Sequence, residues 1–253
     1  MTLSGIDTLV LFAASLLANF FSALSGGGAG LIQFPILIFL GLSFGVALAT
    51  HKVASVFLGV GAILRHWREG RLAKRESFII LAAGLPGVIL GASWVLQAPE
   101  RPMIFLLGLL TAGLGIYSVF KPQLGLIHAP RNWQGRGVWI GAAGLFVVGF
   151  LNGSITSGTG LFLTLWLIRW FGLDYQRAVA YTLILCGFFW NGTGAVVLGI
   201  LGTVAWDWMP ALLIGSILGG YLGTHLAIRQ GNRWIKRAFE ITTILIGLKL
   251  LLS

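Results

Sequence analysis

Ser25-Gly26-Gly27-Gly28-Ala29-Gly30 interrupts an apolar run at a point where a helix would otherwise continue. A second interruption, Asn152-Gly153-Ser154-Ile155-Thr156-Ser157-Gly158-Thr159-Gly160, lies in the second half of the chain. The flanking residues are almost all aliphatic or aromatic. The chain reads as a scaffold that presents two polar backbone breaks to each other inside a membrane.

Composition supports that reading. Of 253 residues, 57% are hydrophobic and 9% charged, and the mean hydropathy is +0.92. A water-soluble domain needs far more polar surface, whereas apolar runs of roughly 17–25 residues suit spanning helices. Lipid offers no partner to unpaired backbone groups, and the runs lack barrel alternation, so the expected class is an all-α polytopic membrane protein. The N-terminal stretch carries Asp7 and no basic region, and reads as a first membrane helix rather than a cleaved signal. The single Cys186 excludes an internal disulfide and a cysteine-only metal cluster. The net charge of +10 fits basic loops against anionic inner-leaflet lipids, not a nucleic-acid partner.

About ten helical segments follow from the pattern: 5–24, 28–40, 44–64, 77–97, 103–120, 138–151, 159–171, 178–200, 208–228 and 234–252. At 1.5 Å per residue the second reaches only about 20 Å, against roughly 30 Å of hydrocarbon, so the break before it must lie at membrane depth. Residues 1–120 read as a first membrane repeat, 121–137 as a cytoplasmic linker with Pro122, Pro130 and Trp133, and 138–253 as a second repeat. Gly28, Gly30 and Leu31 correspond to Gly158, Gly160 and Leu161, and Gly87, Leu90 and Gly91 to Gly215, Leu218 and Gly219. The four-residue glycine spacing reads as close helix packing.

Loops 65–76, 121–137, 169–177 and 229–237 hold 14 of the 17 Lys and Arg residues and are expected to share the cytoplasmic side. Five segments per half then set the two repeats in opposite directions, with both termini outside. Inverted repeats with broken helices near the midplane are a transporter architecture. Trp67, Trp133, Trp139, Trp170 and Trp234 are expected at the inner interface, and Trp94, Trp206 and Trp208 at the outer one, with Trp166 and Trp190 inside the bundle.

The breaks are the candidate substrate site. Ser25, Gly26, Gly27 and Gly28 leave amides uncovered and free to take positive φ. The helix that starts next adds unpaired N–H groups and its positive dipole end. Asn152, Ser154, Thr156, Ser157, Gly158 and Thr159 add further donors in the second break. Lys52 lies within a helix, where a charge is costly unless it is paired or functional, and would supply countercharge to an anion. His51 could titrate or pack as a neutral ring. Gln33, Thr50, Thr182, Trp190 and Asn191 flank the breaks. Glu240 is expected to pair with Lys236 or Arg237 on its own helix. The interior is otherwise poor in carboxylates, which argues against a cation site. No catalytic residue, metal or cofactor is expected.

The glycine break, the short apolar piece with Pro35, and Val46-Ala47-Leu48-Ala49-Thr50-His51-Lys52 resemble the sulfite exporter TauE/SafE family, as does the second-half version through Ala178-Val179-Ala180-Tyr181-Thr182. The resemblance covers about 19–120 and 148–250. His51 stands where that family usually has a small residue, and Thr156 and Ser157 where glycines are common. The resemblance implies a permease of the bacterial inner membrane for sulfite, organosulfonates or related anions.

The expected function is therefore secondary transport of a small sulfur-containing anion by alternating access. A passive anion channel is one alternative. An intramembrane hydrolase is another, with Ser154 or Ser157 beside His51 or His225, but no spacing distinguishes nucleophile from base.

Overall fold

A computed structural model describes residues 5–67, 69–95, 100–155 and 158–252. Among these residues all regular structure is helical. The first five helices are α1 (Gly5–Ser25), α2 (Gly30–Phe39), α3 (Phe44–His66), α4 (Lys74–Trp94) and α5 (Glu100–Val119). The second half holds α6 (Gly135–Ile155), α7 (Thr159–Arg169), α8 (Tyr175–Tyr181), a π-helical stretch (Thr182–Trp190), α9 (Asn191–Leu201), a 3-10 turn (Trp206–Trp208), α10 (Met209–Gln230) and α11 (Asn232–Leu252). Among the described residues six helical segments are long and apolar enough to cross a membrane; α2 and α7 are apolar but short.

Three glycines end α1 because each takes a positive φ, 86°, 147° and 103° at Gly26, Gly27 and Gly28, which no side-chain-bearing residue adopts cheaply. The second break is narrower than its sequence suggests. Asn152, Gly153 and Ser154 remain in α6, and the left-handed Gly158 (φ 78°) precedes α7. Ser154 Oγ donates back to Phe150 O at 2.9 Å, an intrahelical bond. Gly153 is a packing glycine, since a Cβ there would stand 2.2 Å from Val88 O of α4. Thr156 and Ser157 lie outside the described residues.

The helices pair across the halves, α1 on α10, α6 on α4, and α5 on α11. Glycines set the first two contacts. A Cβ on Gly219 or Gly223 would lie 2.4 or 2.3 Å from Leu16 O or Phe20 O, and one on Gly87 or Gly91 would lie 2.2 or 2.1 Å from Phe146 O or Phe150 O. The glycine spacing is therefore close packing of backbones, as expected.

The four basic loops gather at one end of the bundle. Arg71 Nη1 donates to Gln176 Oε1 (2.5 Å), Gln176 N to Asn232 Oδ1 (2.8 Å), and Asn232 Nδ2 to Leu126 O (3.2 Å). Leu42, Ala205 and Trp208 cluster with Leu11 at the other end. Helices α1 and α2 thus form a hairpin entering from one end, and α6 and α7 a hairpin entering from the other.

The sixth helix starts earlier than expected, at Gly135, and the stretch before it packs on the second half. Ala129 N bonds Gly172 O at 2.9 Å, Arg131 N bonds Phe171 O at 3.0 Å, and the Trp133 ring stacks on Phe171 with centroids 4.0 Å apart. That stacking buries Trp133, and the cluster with Leu11 buries Trp208, so neither forms part of an exposed belt. Trp67, Trp139 and Trp206 are exposed, and Trp190 is fully buried as expected.

Candidate functional site

The tips of the two hairpins meet. A Cβ on Gly27 would stand 2.6 Å from the carbonyl carbon of Gly160 and from Leu161 N, so the break after α1 rests directly on the first turn of α7. Thr164 of α7 ties the contact by donating to Gly26 O at 2.9 Å, and Thr182 lies 2.9 Å from the Thr164 hydroxyl. Ser25 Oγ closes its own turn on Phe21 O and Gly27 O.

Between the tips lies a cavity of about 40 Å³, room for a few waters or a small ion. Gly28, Ala29 and Gly30 at the start of α2 line it, as do Thr159 and Gly160 at the start of α7. The backbone N–H groups of these five residues find no acceptor among the described residues. A helix leaves its first N–H groups unpaired, and they carry the positive end of its dipole. Here two such ends face one small space.

Lys52 stands behind the wall, fully buried. Its ammonium donates to Asn152 O (2.6 Å), Asn152 Oδ1 (2.9 Å) and Asn191 Oδ1 (3.1 Å), which uses all three N–H groups. The side chain is directed inward rather than toward a membrane surface. Among the described residues no carboxylate lines the cavity or pairs with Lys52. Holding both amide oxygens turns both amide nitrogens away from the ammonium. Asn152 Nδ2 reaches Thr159 Oγ1 (3.0 Å), whereas Asn191 Nδ2 has no partner among the described residues. Both asparagines line the cavity. The charge of Lys52 is therefore delivered to the cavity through two polarised amides.

His51 and Ser55 form another wall. His51 Nδ1 lies 2.7 Å from Gln33 Oε1 and Nε2 lies 3.1 Å from Ser55 Oγ. Gln33 Nε2 donates to Ser15 Oγ (2.9 Å), which donates to Leu212 O (2.7 Å). The chain of donors assigns the proton of a neutral His51 to Nδ1. Its ring is packed and bonded on both sides.

The structure thus brings Gly27, Gly28, His51, Asn152, Thr159, Thr182 and Asn191 to the cavity, with Lys52 directly behind. Ser25, Gly26 and Gly158 shape the tips without lining the space. Gln33 acts through His51. Thr50 faces elsewhere, its hydroxyl accepting from Ala205 N at 3.0 Å. Trp190 packs against Gly84, and Ser154 bonds within its own helix. Sequence reasoning missed Ser22, Ser55, Cys186 and Gly187 on the wall. Ser55 and Cys186 each follow a predicted residue by four positions, the spacing of one helix face. The π-helical stretch that carries Thr182 and Cys186 had no sequence signal; such stretches are rare and frequent at functional sites.

A bundle of membrane-length apolar helices around a small, donor-lined interior cavity defines a multi-pass membrane transporter. Comparison with known proteins agrees. Residues 11–250 match the family model "Sulfite exporter TauE/SafE", and the chain belongs to this family. It is 28% identical over 246 residues to the "Probable membrane transporter protein YfcA" of Escherichia coli strain K12, covering 96% of this chain and 88% of the relative. Identity is 27% to "Probable membrane transporter protein ORF9" of a Sinorhizobium species, covering 95% of this chain and 91% of the relative. It is also 27% to a "Probable membrane transporter protein" of Haemophilus influenzae, covering 97% and 95%. No solved structure matches the chain. The protein is a multi-pass protein of the bacterial inner membrane, and a transporter rather than an enzyme. Of the residues named for the hydrolase alternative, Ser154 Oγ is bonded to its own helix, His51 is held by Gln33 and Ser55, and Ser157 lies outside the described residues.

Proposed function

We propose that this chain is a secondary transporter of a small sulfur-containing anion, sulfite or an organosulfonate, working by alternating access. The observation that carries the reading is the pair of helix N-termini, α2 and α7, that aim unpaired N–H groups at one cavity backed by an unneutralised Lys52. Preorganised donors backed by a lysine suit an anion, and the lack of carboxylates among the described residues around the cavity disfavours a cation. The family's description supports a sulfur oxyanion.

Alternating access draws support from the arrangement of the halves. The contact of α1 with α10 has its counterpart in that of α6 with α4, each closed by corresponding glycines. The two hairpins enter from opposite ends and their tips touch. This is the arrangement expected of two inverted repeats, with basic loops facing the cytoplasm. Rocking one hairpin against the other would open the cavity to one side at a time.

The test is thermal unfolding of the detergent-purified protein against sulfite, thiosulfate, taurine, sulfate, phosphate and chloride. A ligand that binds only the folded state raises its apparent stability. A selective rise with a sulfur anion supports the reading; an equal rise with every salt refutes it. Counterflow in vesicles separates carrier from channel, because only a carrier exchanges bound anion across the membrane.

A further inference from the structure

Away from the hairpin tips, a second concavity of about 300 Å³ lies where α5 ends and α11 begins. Its walls divide by chemistry. Val119, Pro122 and Leu126 form an apolar side, and Arg233, Lys236 and Arg237 a basic one, with Glu240 beside them. Three cations against one anion leave two positive charges.

Those two charges can be located. Lys236 is buried and engaged: it donates to Ser118 O (2.6 Å) and Ser118 Oγ (2.9 Å), and it pairs with Glu240. The Glu240 carboxylate also takes the Ser118 hydroxyl at 2.9 Å. Lys236 and Glu240 therefore neutralise each other, as expected for their spacing. Arg233 and Arg237 are exposed, lie four residues apart on one helix face, and make no ion pair or hydrogen bond among the described residues. Two guanidinium forks facing one space match a phosphate, which guanidinium groups bind bidentately.

The surroundings say what carries the phosphate. The pocket sits at the end of the bundle where the basic loops meet. Further along the same helix pair the surface is apolar and open, with Ile116 on α5 49% exposed and Ile241 and Leu245 on α11 60% and 63% exposed. A charged pocket beside an open aliphatic strip, on the outside of a bundle of membrane-length helices, has the polarity profile of a phospholipid. A free anion has no use for the strip. Basic pockets between spanning helices bind anionic headgroups by this logic.

We propose that the α5–α11 pocket binds the headgroup of an anionic phospholipid, with Arg233 and Arg237 on its phosphate and the acyl chains over Ile116, Ile241 and Leu245. The site is separate from the central cavity, and its failure would leave the transport reading untouched.

The experiment uses the full-length protein in detergent, titrated with phosphatidylglycerol, with phosphatidylcholine of the same acyl chains, or with glycerol phosphate, and read by native mass spectrometry and thermal unfolding. Phosphatidylglycerol should bind and stabilise in preference to phosphatidylcholine. The double variant Arg233→Gln/Arg237→Gln should lose affinity for phosphatidylglycerol by on the order of 10–30-fold, since each arginine near a lipid surface contributes about a kcal/mol. Its response to phosphatidylcholine and to anions at the central cavity should not change. Arg233→Lys/Arg237→Lys should keep a preference for phosphatidylglycerol. Equal binding of the two lipids, an unchanged preference in the glutamine variant, or glycerol phosphate matching the whole lipid would each overturn the proposal.

Discussion

The backbones of Gly27 and Gly160 touch. A Cβ built on Gly27 meets the Gly160 carbonyl carbon at 2.6 Å, and one built on Gly160 meets Gly27 Cα at 3.0 Å. Neither contact can be relieved by moving a flexible side chain. This approach, with the bond from Thr164 to Gly26 O, holds the two helix starts that face the cavity at their separation.

Gly27→Ala should therefore damage fold and site together. The residue combines φ +147° with a clash against backbone, and each factor costs about 1–3 kcal/mol. A clear fall in unfolding temperature with loss of anion stabilisation is expected. Gly113→Ala is the control: nothing lies within 4 Å of its Cβ position, and alanine favours the helix by up to about 1 kcal/mol. Equal unfolding temperatures for the two variants would contradict the tip contact.

Lys52→Gln removes the charge while keeping an amide donor for the Asn152 and Asn191 oxygens. Anion affinity should fall at least about tenfold, the effect of some 1.4 kcal/mol. Calorimetric titration with the stabilising anion measures it. An unchanged affinity would remove Lys52 from the site.

Asn191→Asp tests the same charge from its partner. A carboxylate in place of the Asn191 amide, now 3.1 Å from the Lys52 ammonium, would neutralise it and face the cavity with an acceptor instead of a donor. Anion stabilisation should disappear while the variant stays folded. If Asn191→Leu loses binding and Asn191→Asp does not, charge delivery through the amide is the wrong account.

Glu69, in the α3–α4 loop, gives a pH dependence of known sign. Its hydrogen bond from Arg65, at 2.9 Å, with help from Arg71, holds its carboxyl below the usual carboxylate range. A depressed acid contributes stability above its unfolded pKa and loses it as pH falls through the folded one. The pair is partly exposed, so the effect is small. Glu69→Gln should unfold slightly more easily than the parent at neutral pH, and the two should converge in acid. A difference that persists below the carboxylate range would point to another role for the loop.

Several of these features were readable before any coordinates. The glycine triplet announced the break after α1, the four-residue glycine spacing announced close packing of α10 and α4, and Lys236 announced its pair with Glu240. The boundary of α6 was not readable, because Asn152-Gly153-Ser154 looks like a loop until Ser154 is seen bonding back to Phe150 and Gly153 is seen against α4. Thr50 and Ser55 illustrate the remaining difficulty. Both lie near Lys52 on α3, yet Ser55 faces the cavity and Thr50 caps a distant loop.

By itself, the sequence determined an all-helical membrane protein with two polar breaks and its positive charge concentrated in four loops. Each of these is a property of composition and local order along the chain. Tertiary structure alone decided that Gly27 meets Gly160, that Lys52 is spent on Asn152 a hundred residues away, and that Asn191 both holds Lys52 and lines the cavity. In water, a polar face would have marked which side of each helix points inward. In lipid, the outside of the bundle is as apolar as the inside, so helix rotation leaves little trace in the pattern and is set by packing.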